Sequence, residues 1–153
     1  MDLRITHPIS YKTAITLALF IDELPKLYSE EFYEFGDTQI HSLGCNFDLL
    51  SCSQGRKLLA PDMIDVRDCL NKQFGVFVQY VVSPRNINRF CFEIVDKEEG
   101  KSIFDNRDYA NYFTCLNAGL NEALQYILTN RLNRNANAEI KQYETFIQQT
   151  INK

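Results

Sequence analysis

The chain has 153 residues, of which 45% are apolar and 24% charged, with a formal net charge of −4. That length and apolar content suit one folded domain with a real core and exclude a disordered polypeptide. The acidic balance works against non-specific attraction to phosphate backbones, and the longest apolar run, over 14–21 and broken by Thr16, falls far short of the ~20 residues that a membrane-spanning helix needs.

Met1-Asp2-Leu3-Arg4 runs on to His7-Pro8 with no apolar stretch ending in small residues, so no secretory leader is expected and the chain is expected to stay inside the cell. Ser10 is placed to cap a helix over 11–24, which Pro25 stops. Ala14, Ile15, Leu17, Leu19, Phe20 and Ile21 lie all round this segment. Such a helix is covered on several sides by its own domain or touches another subunit. Phe32, Tyr33 and Phe35, then Gly36-Asp37, then Thr38 and Ile40 predict a short hairpin, and 44–55 reads as an irregular connection.

Pro61, Asp62, Asp65, Lys72 and Gly75 punctuate a helix over 61–74, with Met63, Val66, Leu70 and Phe74 on one face. Strands follow at 76–82 and 88–95, joined through Ser83-Pro84-Arg85-Asn86. The first of these is apolar on both sides, which predicts an interior position in the sheet. After Lys97-Glu98-Glu99-Gly100, a strand over 102–104 leads to Asp105 as the expected cap of a long helix over 106–132. Gly119 in its middle costs about 1 kcal/mol against Ala, which a close approach to the sheet would offset. The segment 133–137 reads as a polar linker, and Ile140, Tyr143, Ile147 and Ile151 form one stripe of a terminal helix.

The fold expected is α+β: a small antiparallel sheet with helices packed on one face, as a single domain over 1–132, followed at 133–153 by the linker and a C-terminal amphipathic helix. From about residue 58 onward the chain resembles a family of small uncharacterised proteins encoded by phages and mobile elements of anaerobic gut bacteria. The resemblance rests on Leu59-Ala60-Pro61, on Phe90-Cys91-Phe92-Glu93-Ile94 and on the string Leu116 to Leu128, LNAGLNEALQYIL, with 9–14 similar to the family's opening. Family members often carry a Trp after Ala-Pro, where this chain has Cys69-Leu70 and no Trp anywhere. The resemblance implies origin, a bacterial cytoplasm and fold, and no chemistry.

No catalytic, cofactor or metal site is expected. His41, Cys45 and Cys52 lack the spacing and the fourth ligand of a zinc site, and the five cysteines read as free thiols. The two histidines stand in no nucleophile turn, and the glycines form no phosphate loop. Two surfaces remain. The first helix and the tail stripe predict partner binding or self-association through Phe20, Tyr143, Ile147 and Ile151, as a non-enzymatic accessory protein acting by protein–protein contact, or, equally, a tail that folds back over the first helix and finishes a monomer's core. The alternative is a binder of nucleotides or short nucleic acid through the 76–95 hairpin, where Arg85, Asn86 and Arg89 would hold an anion.

Overall fold

The computed structural model describes residues 7–153, so the reading of Met1-Asp2-Leu3-Arg4 lies outside the described residues. Five helices and six strands follow in the order α1 (Tyr11–Ala18), β1 (Ser29–Glu34), β2 (His41–Phe47), α2 (Leu49–Gln54), β3 (Lys57–Leu59), α3 (Met63–Phe74), β4 (Val76–Val82), β5 (Phe90–Asp96), β6 (Lys101–Phe104), α4 (Tyr112–Asn130) and α5 (Ala136–Ile151). The fold is α+β with a C-terminal helix, as expected from the sequence. Its strands form two antiparallel sheets where one was expected, ordered β2-β1-β3 and β4-β5-β6. The cause is β3, which pairs Leu59 with Phe32 and Lys57 with Glu34, so the first hairpin builds a sheet of its own.

Local chemistry sets the helix ends. Ser10 accepts from the Thr13 N–H and starts α1. This helix is shorter than expected: it ends at Ala18, and tight turns such as Phe20 N–H to the Leu17 carbonyl carry the chain to Leu24. Asp62 caps α3, and Gly75 closes it in the left-handed conformation at φ 67°. Pro61 therefore stands one residue before the cap, not inside the helix. The stretch 44–55 is more ordered than its composition suggested, because β2 runs to Phe47 and Asp48 forms a capping box with Ser51 at the head of α2.

Asp105 does not begin the long helix. Its carboxylate accepts from Arg107 Nε and Tyr109 Oη, and the loop 105–111 pairs Tyr109 with Phe90 before Asn111 caps α4. From there α4 lies across the second sheet, on the face carrying Val78, Phe92 and Ile94. Gly119 makes the close approach foreseen for it. A Cβ there would stand 2.7 Å from Val78 Cγ1 and 2.9 Å from Phe92 Cγ.

The core is continuous across both sheets. α1 packs on α4 and on β3, which buries Ile15 and Leu17 and accounts for the helix being apolar on several sides. The tail is not a separate appendage: α5 returns onto α1 and α4 and adds Ala136 and Ile147 to the same core. Cys52, Cys91 and Cys115 are buried free thiols, while Cys45 is an exposed one.

Candidate binding face

Of the four tail and first-helix residues, two are spent inside the molecule. Phe20 is fully buried, with its ring edge-on to Phe74 at 6.2 Å, and Ile147 is buried beneath α5. Neither can present itself to a partner while the chain is folded, which corrects the sequence expectation. Tyr143 is half-buried against Phe35 at 6.3 Å. Ile151 is partly exposed but rests on the β1–β2 turn, where its Cδ1 lies 2.6 Å from the place a Cβ of Gly36 would take. The stripe completes a core in cis because docking on α1 removes it from water at no association cost.

The hairpin residues do not come together as an anion cradle. Arg85 lays Nε and Nη2 on Asp108 Oδ1 at 3.1 and 2.8 Å, and Nη2 also donates to the carbonyls of Asp105 and Arg107 at 3.2 Å. Ser83 Oγ donates to the same carboxylate. The hydrogen bond from Arg85 holds the Asp108 carboxyl below its usual pKa, so the pair stays charged and its charges cancel locally. Asn86 serves the turn, accepting from the N–H groups of Arg89 and Asn88 at 3.0 Å. Arg89 stands exposed at the base of the loop, where its carbonyl accepts from the Ser83 N–H.

A second ionic cluster is also structural. Arg131 donates to Asp96 Oδ1 at 2.8 Å, to Glu98 Oε2 at 2.6 Å and to the carbonyl of Phe74 at 3.0 Å, while Tyr126 Oη donates to Asp96 at 2.7 Å. Burial works to raise the Asp96 pKa, but the bonds from Arg131 and Tyr126 outweigh it and hold the carboxyl down at about 2. Burial, then the bond to Asp96, pushes Tyr126 up to about 12. These groups satisfy one another and tie the C-terminal ends of α3, β5 and α4 together.

His41 bonds Asp37 at 2.9 Å, not a thiolate, and among the described residues no group of three His, Cys, Asp or Glu side chains converges as a metal site.

What the sequence reading missed is the outer side of β4. This strand lies at the edge of its sheet and β5 at the centre, the reverse of the expected order. Beside it is a cavity of about 250 Å³ walled by His7, Met63, Ile64, Tyr80, Tyr112 and Phe113. Tyr80 and Tyr112 stack at 5.2 Å, and Tyr112 and Phe113 meet at 4.0 Å. Arg67 also lines the cavity, and its buried Nε has no hydrogen-bond partner among the described residues. On β4 Val82 is 56% exposed, and in the loop that follows Ile87 is 84% exposed. Asp62 lines the cavity too, beside His7 and Arg67, so its wall joins aromatic anchors to three ionisable side chains, and a face of this kind can bind by burial. The signal for it was present: a strand apolar on both sides belongs beside another strand.

Compared with known proteins, the chain matches no family model, no curated protein and no solved structure.

Proposed function

We infer that the chain is a non-enzymatic accessory protein, of the phage or mobile-element kind its sequence resembles, that works by contact with other protein chains. The contact face is the outer side of β4 with the first turns of α3 and α4, in place of the tail helix. One observation carries this reading: Tyr80 and Val82, on a strand without a charged residue, and Tyr112 at the head of α4, stacked on Tyr80, are exposed at an aromatic cavity that Tyr80 and Tyr112 line. Large apolar side chains gathered on one face mark an interaction site, whereas scattered ones do not. Binding of a nucleotide through the hairpin is the weaker reading, since Arg85 is already neutralised by Asp108.

The test is site-specific photo-crosslinking in cells that make the protein. A benzophenone side chain in place of Tyr112 is expected to give discrete protein adducts, and one in place of the exposed Glu144 on α5 is expected to give none. No adduct at position 112 would refute the reading.

A further inference from the structure

The edges of the two sheets are not alike. β3 is three residues long and β6 four, and each begins with a lysine, Lys57 or Lys101. The β1–β2 ladder is interrupted by a register shift, and Gly44 in β2 takes the left-handed conformation at φ 73°. Short length, lysines and irregularities are the devices that keep strand edges from pairing with other chains. β4 has none of them. It is seven residues, Val-Phe-Val-Gln-Tyr-Val-Val, without charge, proline or bulge.

Hydrogen-bond parity shows which groups this edge offers. The Ser83 N–H donates to the Arg89 carbonyl and the Lys97 N–H to the Gly75 carbonyl, both at 2.9 Å, at the two ends of the β4–β5 ladder. In an antiparallel pair the bonded positions alternate, so Phe77, Gln79 and Val81 point their backbone groups at β5. Val78, Tyr80 and Val82 point theirs away, and β4 pairs with no strand there among the described residues. The Arg67 guanidinium covers Phe77 at 5.3 Å, and the first turn of α3 reaches the cavity beside Tyr80 through Met63 and Ile64, so Val82 at 56% exposure is the most open residue of this edge and Tyr80 at 39% is partly open.

We propose that the outer edge of β4 pairs with the β4 of a second copy of this chain, antiparallel about a two-fold axis, so that two three-stranded sheets join into one of six strands. This rests on the contact reading above and names the partner. Tyr80 of one copy lies opposite Val82 of the other, and each such pair exchanges two backbone hydrogen bonds. Two observations favour a second copy over a foreign peptide. An uncharged strand meets its own copy without like-charge repulsion. Its two-sided apolar sequence is that of an interior strand, which the pairing makes it.

Sedimentation equilibrium of the full chain over a wide concentration range tests this. The wild type is expected as a reversible dimer of twice 17.8 kDa. Val82→Pro removes an outward N–H that the β4–β5 ladder does not use, so it is expected to give a folded monomer with unchanged circular dichroism. Val82→Lys is expected to do the same and carries the test if the proline variant does not fold. Ile103→Lys on the opposite edge is expected to remain dimeric. A wild type that is monomeric at every concentration, or a folded Val82→Lys variant that dimerises as the wild type does, would overturn the proposal. The position-112 crosslink separates the two ideas: an adduct of two copies supports self-pairing, an adduct with only a foreign protein sinks self-pairing and keeps the contact reading, and no adduct sinks both.

Discussion

Replacing Gly119 by Ala sets two physical effects against each other in the middle of α4. Helix propensity alone favours Ala by about 1 kcal/mol. Against this, the new methyl would sit 2.7 Å from Val78 Cγ1 and 2.9 and 3.0 Å from Phe92 Cγ and Cβ. Neither neighbour is the loose end of a long side chain: both are core residues, and they stand on adjacent strands of one ladder. The helix and sheet must therefore part by several tenths of an ångström, and overpacking of a filled core costs about 1–3 kcal/mol. We expect Gly119→Ala to destabilise the fold by about 1 kcal/mol net, which in a chain of this size lowers Tm by about 2–4 °C. Urea and thermal unfolding followed by circular dichroism would measure it. Combining Gly119→Ala with Val78→Ala should restore part of the loss, as a non-additive pair. A Gly119→Ala variant more stable than wild type would refute the claim that α4 is pressed onto the sheet at this residue.

The Asp96 cluster makes stability fall on the acid side. Its folded-state pKa of about 2 lies below the ordinary 3.8, so the stabilisation is complete above about pH 4 and is lost as pH falls toward 2. About 2 kcal/mol is at stake, and in urea titrations Asp96→Asn should show a correspondingly shallower acid limb. Ile147→Asp should unfold the protein or cost about 3 kcal/mol or more, because it buries an unpaired carboxylate, while the more exposed Ile151→Asp should cost about 1 kcal/mol or less. Equal effects of the two in chemical denaturation would contradict the placement of α5.

Elements carrying their own punctuation were legible in the sequence. Asp62 and Gly75 bound α3 through side-chain and left-handed caps that act within one turn, and Gly119 declared a close contact by being glycine in a helix. What failed depends on groups far apart in the chain. Asp105 looked like a helix cap because its competing partners, Arg107 and Tyr109, act only once the loop pairs with Phe90. The separate β2-β1-β3 sheet was invisible because β3 is three residues whose strand character comes from β1. For the binding face, Arg85 read as a free cation because Asp108 lies 23 residues away in sequence. Tyr112 and Phe113 fall inside the helix expected over 106–132, and the sequence does not say that α4 begins beside β4. The two-sided apolar pattern of β4 predicted an interior strand, whereas among the described residues β4 stands at the edge and β5 at the centre.

Amide hydrogen exchange at single-residue resolution, at low and high protein concentration, tests that point most directly. The N–H groups of Gln79 and Val81, bonded to β5, should be protected at both. Those of Tyr80 and Val82 should exchange fast in dilute solution and slow markedly as concentration rises. Equal protection of all four at the lowest concentration, or fast exchange of Tyr80 and Val82 at the highest, would contradict an open β4 edge that closes on a second chain.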